Sequence, residues 1–192
     1  ILPENLFDNI GSIREAQSGG LWIGSRQDGL VYYHPDSGEL HHFQHDPSDP
    51  KSLSTNAISS LHRDQKDRLW VGTNGAGLNL MTDEKSGAFK KYRLKDGLPN
   101  EVIYTILEDD QGQLWMSTNR GISCFDPEAE VFRNFTLSDG LQSYEFNQRS
   151  AYKSPYTGHM YFGGVNGYNV FHPDSIQWDT SHAPLVFTAV TR

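Results

Sequence analysis

Three turns of this chain repeat one set of hydrogen-bonding side chains: Thr73-Asn74-Gly75, Thr118-Asn119-Arg120-Gly121 and Val165-Asn166-Gly167. A primary amide carries donors and an acceptor together. Equivalent turns of a repeat lie on one face, where ligands usually bind, and Arg120 is the one charged residue beside the three asparagines. Asn74, Asn119, Arg120 and Asn166 are the candidate contacts for a small molecule or an oligosaccharide. The competing reading is structural, because asparagine tolerates left-handed backbone and caps turns.

Other chemistry is poorly supported. The eight histidines show no His-x-His or His-x-Glu spacing, and His41-His42 in a strand point to opposite faces, so no metal or cofactor is expected. The acidic turn Glu108-Asp109-Asp110 lacks the ligand spacing of a calcium loop and reads as a solvated hairpin. No nucleophile elbow, phosphate loop or dinucleotide fingerprint is present. The single cysteine, Cys124, falls in a predicted strand and reads as a small buried apolar residue.

The elements that would carry the asparagine turns repeat at a fixed period. Leu-Trp pairs begin at Leu21, Leu69 and Leu114, with Met160-Tyr161 as a variant, so Trp22, Trp70, Trp115 and Tyr161 stand 48, 45 and 46 residues apart. Apolar positions precede each of the three tryptophans in pairs three residues apart: Ile10 and Ile13, Ile58 and Leu61, Ile103 and Ile106. After each aromatic comes a glycine (Gly29, Gly77, Gly121, Gly167), expected at positive φ in a hairpin turn, and then an alternating run. Gly24, Gly72 and Gly163 are expected where a neighbouring strand approaches closely. In three copies a last run ends in an aromatic, Phe43, Tyr92 or Phe135; the fourth copy has no clear equivalent. Helical periodicity is nearly absent, with one turn conceivable at 3–9 or 99–103.

Four strand-length runs per repeat of this size describe a β-propeller blade. The expected fold is all-β: about four blades of four antiparallel strands over 1–175, then a linker over 176–192. Such blades hide their apolar faces on one another, so the three tryptophans are expected between adjacent blades. Aromatics crowd the end of the chain, where some must fill the last blade and Tyr144, Tyr156 and Trp178 are expected in an exposed patch.

Charge narrows the partners. Sixteen Lys+Arg against 24 Asp+Glu leave a net −8 over 192 residues, with no basic run, so nucleic acid and anionic membranes are not expected to bind. No apolar run reaches spanning length, and the first residues read as a connector between repeats, as if the chain were a piece of a longer protein.

The connectors carry a family resemblance. His45-Asp46-Pro47 through Asn56, and Lys95-Asp96-Gly97-Leu98-Pro99-Asn100, taken with the Leu-Trp-Val-Gly-Thr core, resemble the two-component regulator propeller repeats of bacterial sensor proteins. The segment from Asp139 to Asn147, with Met160 to Gly167 and Phe171 to Asp174, resembles the last blade of such a propeller. Residues 183–190 are similar to the opening strand of the immunoglobulin-like module that follows it. The resemblance implies a seven-bladed parent ring and a periplasmic, non-enzymatic sensor region. Its signal would pass to a cytoplasmic histidine kinase or diguanylate cyclase, with the membrane met only through the parent. Two other readings compete: a propeller lyase acting on a polysaccharide, for which His62 or His159 would have to face the central channel beside carboxylates, and a protein-interaction scaffold. Four blades do not close a seven-bladed ring, so the isolated chain is expected to self-associate through its open blade edges.

Overall fold

The structure, a computed structural model, describes residues 9–176. They form four antiparallel meanders. The first three sheets have four strands each: β1(Ile10–Glu15) to β4(Leu40–Phe43) through β2(Leu21–Ser25) and β3(Leu30–Tyr33); β5(Ile58–Arg63), β6(Leu69–Thr73), β7(Leu78–Asp83) and β8(Ala88–Tyr92); β9(Ile103–Glu108), β10(Leu114–Thr118), β11(Gly121–Asp126) and β12(Val131–Phe135). The fourth has only three, β13(Phe146–Lys153), β14(Met160–Gly164) and β15(Gly167–Phe171), because no apolar run follows Phe171 to supply an outer strand among the described residues. The expectation of four strands per blade is corrected there. The fold is a four-bladed all-β propeller. The expected linker and the strand at 183–190 lie outside the described residues, as do Trp178 and all of 3–9 except Asn9.

Contacts between sheets run chiefly through β1, β5, β9 and β13, so the first strand of each blade is innermost. The bonds that join blades span one repeat period. Ser12 Oγ accepts from Leu61 N at 3.2 Å across 49 residues, and His62 lies 3.2 Å from Glu108 across 46. Each inner strand carries a β-bulge near its start, between Ile10 and Ser12 and between Ile58 and Ser60 in the first two blades. The extra residue explains the apolar spacing of three. Strict alternation would send Ile58 and Leu61 to opposite faces, whereas the bulge places both in one core beneath Trp22.

Three equivalent cores lie between successive blades. Trp22 packs with Ile58, Leu61, Leu69 and Val71; Trp70 with Ile103, Ile106, Leu114 and Met116; Trp115 with Phe146, Met160 and Phe162. The three indoles therefore occupy the same niche, each roofed by the following blade. Tyr161 has the same position in the fourth blade but is 37% exposed, since no described blade roofs it. Tyr152 and Val170 pair with Tyr161 across the strands, and with Tyr168 they leave an open apolar stripe on that face. At the other end of the stack Ile10 and Ile13, the counterparts of buried Ile58 and Leu61, are exposed.

The second and third connectors are built on one device. In Arg93-Leu94-Lys95-Asp96-Gly97-Leu98 a single 3-10 turn at Leu94–Asp96 ends at Gly97, whose φ is 107°, and the Asp96 carboxylate accepts from Arg93 N at 2.9 Å. Thr136 to Leu141 repeats it, with Asp139 accepting from Thr136 N at 2.8 Å and Gly140 at φ 90°. The single turn expected at 99–103 thus falls a few residues earlier, where Asp and Gly can close it.

Candidate functional site

The asparagine turns all join the second and third strands of a blade, so they lie at one end of the stack. There they dock on the connectors, as does the equivalent turn of the first blade: Gly29 N donates to Asn56 O, Gly75 N and Gly77 N to Glu101 O, and Gly121 N to Tyr144 O. Gly29, Gly77, Gly121 and Gly167 have φ of 90°, 79°, 93° and 118°. The asparagine side chains are exposed but act separately. Asn119 Oδ1 accepts from the Tyr104 hydroxyl, Asn166 N donates to Gln142 Oε1 at 2.8 Å, and Asn74 N donates to Ala57 O at 2.9 Å. Arg120 is exposed, and its backbone N–H is held by Thr118 Oγ1 at 2.9 Å. Among the described residues, none of the four lines the cavity formed by the inner strands or those at the opposite end of the strands.

The inner strands of all four blades do line a cavity, of about 280 Å³. Its polar wall includes Ser12, Ser59, Ser60 and Thr105, and its charged groups are Arg14 and Arg149. Burial lowers the Arg14 pKa from its usual range. Arg149 sits in the long bulge of β13 at φ 58° and donates from Nη2 to Ile10 O of the first blade at 2.7 Å. Neither His62 nor His159 lines this cavity. His62 does lie beside a carboxylate, Glu108, but Glu108 also accepts from Gln65 N at 3.1 Å, so the pair ties β5 to β9. His159 stands near His172 with ring centres 5.4 Å apart. Among the described residues no group of three His, Cys, Asp or Glu side chains is placed to hold a metal ion.

Comparison with known proteins bears on these elements. Residues 52–75 and 97–120 match the two component regulator propeller family. Each match runs from a connector, through an inner strand and a tryptophan, into an asparagine turn. The two matched segments are similar to two component regulator propeller repeats. The extracellular domain of a protein assigned as a hybrid two component system of B. thetaiotaomicron is 30% identical, with a TM-score of 0.77 over 90% of this chain and 23% of its own. Histidine kinase P4 of Formosa agariphila is 22% identical over 216 residues, which is 88% of this chain and 16% of that protein. Virginiamycin B lyase of Staphylococcus aureus shares the fold, at 16% identity and a TM-score of 0.59 over 87% of this chain and 56% of its own. The chain spans less than a quarter of the curated relative and of the hybrid-system domain.

Both matched propeller repeats contain a buried carboxylate that the sequence reading passed over. Asp64 Oδ2 accepts from Trp70 Nε1 at 2.8 Å, and Asp109 Oδ2 accepts from Trp115 Nε1 at 2.8 Å. The other oxygen of each closes its own hairpin: Asp64 Oδ1 takes Lys66 N and Arg68 N, and Asp109 Oδ1 takes Gln111 N and Gln113 N. Burial alone would raise the Asp64 pKa, but the bonds from Trp70 and from the Arg68 backbone and guanidinium outweigh it and hold the carboxyl below the usual range. The turn Glu108-Asp109-Asp110 is therefore not a solvated hairpin: Asp109 is buried, Glu108 meets His62, and Asp110 pairs with Lys153 at 2.7 Å. Sequence carried a signal for this device, an aspartate six residues before the tryptophan in two of three copies. Cys124 is buried nearby, and burial pushes its thiol up to about 12, which leaves it a packing residue.

Proposed function

We propose that the chain is a segment of the extracytoplasmic sensor region of a bacterial transmembrane receptor. It lies in the periplasm, binds a small-molecule or oligosaccharide ligand without turning it over, and passes the signal to a cytoplasmic histidine kinase; a diguanylate cyclase is the alternative output. The observation that carries this reading is the 30% identity, over 90% of the chain, to an extracellular domain assigned to a hybrid two component system. The match to a histidine kinase supports the same output. Among the described residues the charged lining of the central cavity is two arginines, Arg14 and Arg149, which suit the binding of a polar ligand. The decisive experiment deletes 9–176 from the whole receptor and measures transcription of its target genes on exposure to a panel of saccharides. Loss of the response with membrane insertion intact is expected; an unchanged response would overturn the reading.

Cut from its parent, the chain is proposed to pair with a second copy. In the first three blades the face bearing the aromatic is roofed by apolar side chains of the next inner strand. A second copy offers such a surface in exposed Ile10 and Ile13, which fit the open stripe of Tyr152, Tyr161, Tyr168 and Val170. Sedimentation velocity is expected to show dimers or larger species that Tyr161→Lys reduces to monomer. A monomer of the unaltered chain at high concentration would contradict this pairing.

A further inference from the structure

The first blade lacks the carboxylate that caps the indole in the next two. Where Trp70 and Trp115 have Asp64 and Asp109 six residues earlier, Trp22 has Ala16. The turn is otherwise the same, since Ala16 N donates to Gly20 O at 2.8 Å as Asp64 N does to Arg68 O and Asp109 N to Gln113 O. The Trp22 ring is as covered as its counterparts, only 2% exposed, but its Nε1–H, which has no acceptor among the described residues, is not among the fully buried unpaired atoms and opens to the surface.

In place of the missing carboxylate there is space. A cavity of about 360 Å³ is lined by Ala16, Ser18, Trp22, Arg63, Asp67 and Glu84. It shares Ser18, Trp22 and Glu84 with a neighbour of about 330 Å³ walled by Tyr32, His41 and Phe43. The two make one cleft across the first and second blades, at the end of the strands opposite the asparagine turns. Gly20 shapes it: a Cβ there would lie 2.5 Å from the Tyr32 ring, which leans over the turn and bonds Ser18 Oγ through its hydroxyl at 2.7 Å.

The groups left unused define the ligand. Arg63 is paired with Asp67, and Glu39 with His41 at 2.7 Å. What remains is the Trp22 Nε1–H donor, the Gln17 amide, which both donates and accepts, and the Glu84 carboxylate acceptor, with the Lys85 ammonium at the rim. An anion entering the cleft meets Glu39, Glu84 and Asp67; a cation meets the indole N–H, Arg63 and Lys85. A hydroxyl group accepts and donates at once, and the C–H face of a ring bearing hydroxyls packs on an aromatic side chain. We propose that this cleft binds a neutral polyhydroxylated ring compound, with Trp22 Nε1–H donating to one hydroxyl, Glu84 accepting from another, and the Tyr32 and Phe43 rings as the apolar wall. The proposal rests on the sensor reading only for its biological meaning; the binding itself is a property of the isolated chain.

The test follows the indole N–H signals of the chain by nitrogen-15 NMR, with the Trp22 signal assigned from Trp22→Phe. Cellobiose, maltose, laminaribiose and xylobiose are titrated, with glucuronate and glucosamine as charged comparisons. At least one neutral disaccharide is expected to shift the Trp22 signal selectively. Trp22→Phe, which keeps the ring packing and removes the donor, is expected to weaken binding by about tenfold, as loss of one buried hydrogen bond should. Ala16→Asp is expected to keep a folded spectrum, slow solvent exchange of the Trp22 N–H and abolish the shift, because its carboxylate takes the ligand's place. No shift with any neutral sugar, tighter binding of a charged one, or an undiminished shift in Ala16→Asp would each overturn the proposal. A chain that binds within a receptor that does not respond would sink the sensor reading alone.

Discussion

Asp64→Ala is expected to lower the unfolding free energy by about 3–5 kcal/mol, the range for breaking a buried, fully bonded charge. The carboxylate takes two backbone N–H groups of its hairpin, the Arg68 guanidinium at 2.6 Å and the Trp70 indole at 2.8 Å. Alanine removes every acceptor at once and leaves buried donors unpaired, each costing about 1–3 kcal/mol. Asp64→Asn keeps the volume but turns an N–H₂ toward one set of donors, so it recovers only part of the loss. Equilibrium urea unfolding measures both, and the midpoint is expected to fall with little change in slope. A midpoint in Asp64→Ala equal to that of the unaltered chain would remove the structural role assigned to this residue. The pH dependence has a definite sign. Because the folded-state pKa of Asp64 is depressed, its contribution is fully present above the unfolded carboxyl value of about 3.9 and disappears as pH falls through the lower folded value. Asp64→Ala is therefore expected to flatten the acid limb of the stability curve below about pH 4.

That device also shows what sequence can and cannot reveal. The tryptophan period was enough for the blade architecture, because each indole needs the same roof and the roof is the next repeat. The fourth copy's lack of a clear last run was visible in the sequence, yet four strands were expected in every blade, and the fourth sheet has three among the described residues. The role of Asp64 and Asp109 was written in their spacing from the tryptophans, but in a polar turn a buried carboxylate looks like any solvated one until the indole is seen to point back at it. His62 and Glu108 were illegible for a different reason: they meet only because adjacent inner strands align one period apart, 46 residues along the chain. The asparagine turns were located correctly on one end of the stack, yet Asn119 and Asn166 spend hydrogen bonds on Tyr104 and Gln142 of their own blade. Local pattern predicts that a turn exists and not which partner its side chain finds. The cleft at Trp22 is legible only as a departure from the repeat, once the repeat's function at Trp70 and Trp115 is known.

Gly121→Ala and Gly167→Ala are expected to differ sharply although the two glycines hold the same repeat position. Both have positive φ, 93° and 118°, so each alanine pays about 1 kcal/mol or more for the left-handed backbone. At Gly121 the new Cβ would also fall 2.0 Å from Phe135 O, the backbone carbonyl closing the outer strand of its blade. Gly77 meets Tyr92 O at 2.2 Å and Gly29 meets Phe43 O at 2.4 Å in the same way. The collision is with backbone, which cannot rotate aside as a side chain can, and relief requires the outer strand to separate or the hairpin to shift off the connector carbonyl of Tyr144. A cost of about 3 kcal/mol or more is expected, in the range of overpacked cores added to backbone strain. Gly167 has no described atom within 4 Å of its Cβ direction, because among the described residues the fourth sheet has no outer strand to place a carbonyl there. Thermal unfolding of the two variants, compared at one chain concentration, is expected to separate them by about 2 kcal/mol or more at the midpoint. Equal losses would mean that φ strain alone governs this position, and that the packing of outer strand against turn, which holds each complete blade to its connector, contributes nothing to stability.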